Sequence, residues 1–395
     1  MRVVAKFGGT SLGNGDRVNR AADSIAAAVE AGHEVTVVAS AMGSTTDFLL
    51  EAISFDAEQA DRAEIVSMGE RTAVRMLKAA LAARDVDARF FEPGHGEWPV
   101  ITDERGEVDV DETTGRSKAL ADAMSQEGFV PVVTGFLAQD HAGNVTTLGR
   151  GGSDTTAVML GNYMDADEVV IVTDVEGVMT GDPTVVEGAR NVGEITVDEL
   201  RNLSFRGAEV VAPSALAYKT EGMDVRVVHY QHGDLLAGGT HIEGQFENLI
   251  DLRDGRLSCI TIAGRAVRNQ PGVLSDLSAP LSEADINIDA VSSGMDSITF
   301  YLDAARAEEA ETILHDAVVT EEVLSSVTVN DDLAVVRVTG DGLPTEPGTI
   351  YRALTPLAEN RLTVHDVISS GTSVGVFVDW DDREEALELI QSVEF

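Results

Sequence analysis

The 395-residue sequence has little of what would cross-link a chain or draw it to a polyanion. Its single cysteine, Cys259, excludes an internal disulfide and a cysteine-ligated zinc site. Lysine occurs only at Lys6, Lys78, Lys118 and Lys219. With 28 basic residues against 68 acidic ones, no basic face for nucleic acid can be assembled. No apolar run reaches membrane-spanning length, and the chain enters strand-like RVVAKF with no leader pattern before it. These absences predict a soluble, cytoplasmic protein with neither a nucleic-acid nor a membrane partner.

Acid is what the chain has in excess, with a net charge of −40 spread along its length. Such a surface repels itself at low ionic strength. At molar salt the Debye length falls to about 3 Å and the repulsion largely disappears. The composition therefore suggests a halophile's cytoplasm. Hydrophobic residues make up 44 %, enough for a large core, and the length suggests two or three domains.

Valine-rich strand patterns alternate with helical ones as far as residue 230, among them RVVAKF, EVTVVAS, FVPVVTGF, EVVIVTD and MDVRVVHY. That alternation predicts an α/β domain over 1–245, a mainly parallel sheet covered by helices on both faces. Residues 90–125 give no clear pattern. Beyond 255 the chain repeats itself at an offset of 76 residues, carrying Pro271-Gly272 onto Pro347-Gly348 and Leu302-Asp303 onto Val378-Asp379. Each copy reads strand, Pro-Gly loop, helix, strand, strand, helix. Two α+β units are expected, over 256–327 and 332–395.

Four segments lie at the ends of predicted strands: KFGGTS (6–11), SAMGSTTD (40–47), TLGRGGSD (147–154) and VTDVEGVMTGDP (172–183). In an open parallel sheet, ligands sit at that edge. KFGGTS is not a Walker A loop, yet Gly8 and Gly9 let backbone N–H groups approach an anion and Lys6 adds a charge. Thr10 or Ser11 could cap the next helix, whose N-terminus favours an anion. In GRGGSD, Arg150 can fork onto a carboxylate or phosphate and Ser153 can donate a hydrogen bond. Asp154 could orient Lys6, hold Mg²⁺ or cap the helix. Glu70, within SMGERTA, is ambiguous on spacing alone.

Taken in order, KFGGTS, SAMGSTTD, SMGER, TTLGRGGSDTTA and VTDVEGVMTGDP resemble an aspartate kinase of the amino acid kinase superfamily. NQPGVLSDL and ADINIDAV resemble the effector-binding unit of its paired, ferredoxin-like ACT domains. The resemblance spans nearly the whole chain. It implies transfer of the γ-phosphoryl group of ATP, with Mg²⁺, to the β-carboxylate of L-aspartate, the first step of lysine, threonine and methionine synthesis. It assigns Lys6, Gly8, Gly9, Thr173, Asp174, Met179 and Asp182 to ATP. Ser40, Thr46, Glu70, Arg150 and Ser153 are assigned to aspartate, and Asp154 to positioning Lys6. Lys6, Arg150 and Asp154 form the catalytic set. An effector, lysine or threonine, is expected at Gly272, Val273, Leu274, Asp276, Asn287 and Ile288, and a homodimer through the ACT domains.

Two cations usual in the family are replaced, one by Glu209 in RGAEVVAP and one by Thr184 after the DP of the ATP loop. The second ACT copy also lacks the serine-rich stretch common in the family. These departures motivate an alternative, a catalytically weak amino-acid sensor. Intact Lys6, Glu70, Arg150 and Asp154 oppose it.

Overall fold

A computed structural model describes residues 1–204, 210–265, 267, 270–320, 324–340, 343 and 347–393. Two compact units divide the chain, Met1–Phe246 and Glu247–Phe395.

The first unit holds strands β1 (Arg2–Phe7), β2 (Glu34–Ala39), β3 (Ala88–Phe91), β4 (Ile101–Thr102), β5 (Val130–Thr134), β6 (Leu137–Asp140), β7 (Val145–Thr147), β8 (Glu168–Thr173), β9 (Glu194–Thr196), β10 (Asp224–His229) and β11 (Thr240–Glu243). Its helices are α1 (Gly15–Glu30), α2 (Thr45–Ala52), α3 (Gln59–Ala82), α4 (Val110–Glu127), α5 (Gly152–Tyr163), α6 (Val197–Ser204) and α7 (Pro213–Leu216). The main sheet runs β3-β5-β2-β1-β8-β10-β11-β9. Its first six strands are parallel, and β11 turns antiparallel to β10.

Strand alternation sorts the core into two layers. Val3, Ala5 and Phe7 of β1 pack with Ile25 of α1 and Val74, Leu77 and Leu81 of α3. Val4, one residue out of phase, packs with Leu120 and Met124 of α4 and with Ala157, Val158 and Leu160 of α5. The unpatterned stretch at 90–125 becomes β4 and most of α4. Asp109 caps α4 by accepting from the Glu112 N–H at 3.0 Å. A small sheet, β4-β6-β7, lies beside the main one. TLGRGGSD leaves β7 of this side sheet, so only three of the four glycine-rich segments follow strands of the main sheet.

The second unit holds β12 (Leu249–Leu252), β13 (Leu257–Ala263), β14 (Ala290–Ser293), β15 (Ser297–Asp303), β16 (Ser326–Thr339), β17 (Val364–Ser369) and β18 (Ser373–Asp379). The helices are α8 (Val273–Glu283), α9 (Ala307–Thr320), α10 (Thr349–Glu359) and α11 (Arg383–Gln391). The repeat extends to the backbone. Gly272 and Gly348 start α8 and α10 with φ of 98° and 94°, which favours glycine. Asp285 and Arg361, again one repeat apart, are both left-handed, at 56° and 64°.

One long strand serves both copies. The first half of β16 pairs with β13 and its second half with β18. β12, which precedes the first copy, pairs with Val336–Thr339 and so completes the second. This strand lies outside both bounds expected from the repeat.

Candidate active site

Lys6 is in phase with Val4, so its side chain leaves β1 on the α5 side of the sheet. There its Nζ meets Asp154 Oδ1 at 2.6 Å, both side chains being about nine-tenths buried. Asp154 Oδ2 accepts the Ala212 N–H at 3.2 Å. The N-cap of α5 is Gly151, with φ of 73°. Asp154 therefore does not cap the helix, and its carboxylate is shared between Lys6 and the Ala212 N–H.

The glycines after Lys6 are pressed against two neighbouring loops. The Gly8 N–H donates to Val172 O at 3.1 Å. A Cβ on Gly9 would lie 2.8 Å from Gly43 O and 2.9 Å from Ala41 O, so only glycine fits without moving backbone. The expected capping by Thr10 or Ser11 is not what the structure uses. Thr10–Leu12 forms a short 3₁₀ turn and Ser11 Oγ donates to Val172 O at 3.0 Å. Asn14 caps α1 instead, accepting from the Arg17 N–H at 3.0 Å. The glycines are thus separated from the helix start by a turn.

Glu70 resolves as a buried acid, 3 % exposed, on the core-facing stripe of α3. Gly69 lets the helix approach, since a Cβ there would meet the Ala41 Cβ at 2.7 Å. Glu70 Oε1 accepts the Ala41 N–H at 3.3 Å, while Oε2 is buried without a partner. Burial pushes the carboxyl up to about 7, against the opposing pull of the Ala41 N–H and the Thr46 hydroxyl. Thr46 lies in the first turn of α2. Ser40 follows β2, with its N–H donating to Phe7 O at 3.1 Å. Ser153 packs at the end of β5, where a Cβ on Gly135 would fall 2.7 Å from its Oγ. Arg150 is exposed on the loop entering α5.

Thr173 ends β8 beside Gly8 and Asp174 follows it, with Thr173 Oγ1 donating to Asp174 Oδ1 at 3.3 Å. Farther along, Met179 bridges to Asn191. Asp182 Oδ1 accepts both the Thr184 N–H at 2.8 Å and the Thr184 hydroxyl at 2.6 Å. The Thr184 hydroxyl and N–H hold the Asp182 carboxyl below its ordinary range. Thr184 thus has a local task, bracing the acid of this loop. Glu209 lies outside the described residues.

Sequence reasoning missed Gly135 and the Ala212 N–H. The first carried a signal, a glycine directly after a strand; a backbone donor from a distant loop carries none. The expected effector residues gather around the start of α8 and the turn into β14 in the second unit. A Cβ on Gly272 would lie 3.7 Å from Asp276 Oδ2, which places that carboxylate over the helix start.

The amino acid kinase family matches residues 1–229, and an ACT domain matches 260–318. Full-length relatives agree. An aspartokinase of Mycolicibacterium smegmatis is 30 % identical over 98 % of this chain and 94 % of its own length. An aspartate kinase of Pseudomonas fluorescens is 31 % identical over 98 % and 95 %. This chain belongs to the aspartokinase family. The crystal structure of a Synechocystis aspartate kinase aligns at a TM-score of 0.80 and 27 % identity, over 98 % of this chain and 68 % of that one. Escherichia coli aspartokinase III, solved with aspartate and ADP, shares the fold at a TM-score of 0.55 and 24 % identity, with 99 % of each chain covered. The amino acid kinase fold with C-terminal ACT units is thereby established for this chain. No helix among the described residues is long and apolar enough to cross a membrane.

Proposed function

We infer that this chain transfers the γ-phosphoryl group of ATP to the β-carboxylate of L-aspartate, giving 4-phospho-L-aspartate, the entry to lysine, threonine and methionine synthesis. The observation that carries the reading is the buried Lys6–Asp154 pair at the head of the glycine loop. The acceptor carboxylate is already ionised at neutral pH, so no general base is needed. Two anions have to be brought together and aligned, which makes the task one of positioning and charge neutralisation.

In this reading Gly8 and Gly9 cradle the phosphates and Lys6 neutralises charge on the transferring group. Asp154 holds Lys6 in place and is not a proton acceptor. Thr173, Asp174, Met179 and Asp182 carry the nucleotide. The nucleotide's phosphates would hold Mg²⁺, with exposed Asp174 as the nearby carboxylate. When bound, Mg²⁺ neutralises phosphate oxygens. Glu70 takes the substrate ammonium through its unpartnered Oε2. Arg150 clamps a substrate carboxylate, with Ser153, Ser40 and Thr46 around it. The ACT units bind lysine or threonine at Gly272, Val273, Leu274, Asp276, Asn287 and Ile288. A cytoplasmic homodimer assembled through the ACT domains completes the reading.

ATP-dependent formation of aspartyl hydroxamate, in molar KCl with Mg²⁺, tests this. Aspartate-specific turnover that lysine or threonine suppresses is the expected result. Amino-acid binding without turnover would sink the kinase reading and leave a sensor.

A further inference from the structure

Tyr301 of β15 and Asp366 of β17 belong to different ACT copies, yet the Tyr301 hydroxyl donates to Asp366 Oδ2 at 2.8 Å. Between their strands in the sheet lie β13, β16 and β18. A flat sheet would hold them four strand spacings apart, roughly 19 Å. The sheet therefore folds over, and the two copies meet face to face on the side away from their helices. Leu257, Tyr301, Leu333 and Phe377 fill the fold and are at most 4 % exposed. The rings of Tyr301 and Phe377 lie 4.1 Å apart. Ladder registers shift at both borders of this cluster, between Leu257 and Cys259 and between Val364 and Asp366, and such irregularities re-aim side chains.

The same tyrosine is tied to the proposed effector segment. Asp289, directly after Asn287 and Ile288, donates its N–H to Tyr301 O at 2.8 Å. Asp289 Oδ2 also accepts from Arg253 Nη2 at 2.9 Å, and the Arg253 N–H donates to Val335 O in the second half of β16, at 3.1 Å. Residues 287–289 are thus linked to the second copy along two hydrogen-bonded routes. Burial, and then the neighbouring Asp366, push the Tyr301 phenol up, so it stays a donor at any working pH.

We propose that Tyr301, through its hydroxyl on Asp366, is the positioning residue that transmits effector occupancy from the first ACT copy to the second. The proposal rests on the reading that residues 272–288 form an effector site. Tyr301→Phe keeps the ring packing and removes only the hydroxyl, and Asp366→Asn alters the acceptor. In each full-length variant two quantities are to be read separately: lysine and threonine binding by calorimetry, and their inhibition of hydroxamate formation. Unchanged basal turnover and near-normal binding are expected, with the fold-inhibition at saturating effector falling about 10-fold, within the usual range of allosteric coupling. Binding and inhibition that both stay as in the wild type overturn the proposal.

A second measurement separates the two readings. Hydrogen exchange without effector should show faster exchange over 286–293 in Asp366→Asn. If neither amino acid binds the wild type, the effector reading falls and this arm alone decides. Unchanged exchange over 286–293 overturns the coupling, and faster exchange upholds it.

Discussion

Lys6 Nζ and Asp154 Oδ1 lie 2.6 Å apart, although 148 positions separate the two residues in sequence. The pair joins the end of β1 to the first turn of α5, and so fixes a cation where phosphate charge is to be neutralised. Lys6→Ala should lower kcat by at least ~10²-fold, the scale for losing one preorganised transition-state donor. Asp154→Asn should retain Lys6 but release its position, with a smaller loss of kcat and little change in the KM for ATP. Steady-state kinetics of both variants check this, and an Asp154→Asn enzyme with normal turnover would remove the positioning role.

Glu70 makes a pH prediction. Its carboxyl in the folded chain sits at about 7, pushed up by burial. To receive an ammonium it must be ionised, so the KM for aspartate should fall as pH rises through about 7. Stability runs the opposite way. Between the ordinary carboxylate range and about 7 the folded state holds a proton that the unfolded chain has released. The group's contribution to stability therefore declines as pH rises across that window. Glu70→Gln should flatten the pH profile of KM, raise KM for aspartate, and gain stability relative to wild type above pH 7. A profile unchanged by the substitution would refute the assignment.

Gly135 is a packing prediction. Its Cβ position is 2.7 Å from Ser153 Oγ and 2.8 Å from Ser153 Cβ. Gly135→Ala has to displace α5 from the end of β5, at a cost of about 1–3 kcal/mol, the usual range for overpacking. Urea unfolding measures that cost. Because Ser153 is placed at the aspartate site, the KM for aspartate should rise more than the KM for ATP.

A buried ion pair in the sheet allows a test away from the chemistry. Arg226 Nε meets Glu168 Oε1 at 2.6 Å, and Glu168 is 3 % exposed. Burial raises the Glu168 carboxyl and Arg226 opposes it. Arg226→Met strands that acid and should cost about 3–5 kcal/mol. Arg226→Met with Glu168→Leu should recover most of the loss. Denaturant midpoints of the single and double variants decide, and a silent single variant would mean the pair is not compensated as described.

Much of this was legible in the sequence. Composition and alternation placed the valine-rich strands, because these elements bury whole faces and so carry full patterns. The tandem repeat showed through because helix and strand bounds recur at one offset; α8 and α10 match to the residue. Other features depend on partners far along the chain. Whether Glu70 is a solvated or a buried acid is decided by the loop at Ala41, not by its own helix. The capping role expected of Thr10 or Ser11 passed to Asn14 because Val172 O, on the neighbouring strand, claims the Ser11 hydroxyl. β12 was invisible as part of the second copy, since its four residues are only half-buried and its partner strand comes after an intervening domain.

The way β12 completes the second copy has a consequence for how the regulatory region can be made and divided. During synthesis, Leu249–Leu252 emerges first and stays unpaired until Val336–Thr339 has been made, with the whole first copy forming in between. Closing that loop is entropically modest, because the cost grows only with the logarithm of its length. The exposed interval is the greater hazard, since an unpaired strand edge invites association. A gene cut between the copies would divide a folding unit, whereas a cut near residue 247, where the two compact units part, would leave each sheet whole.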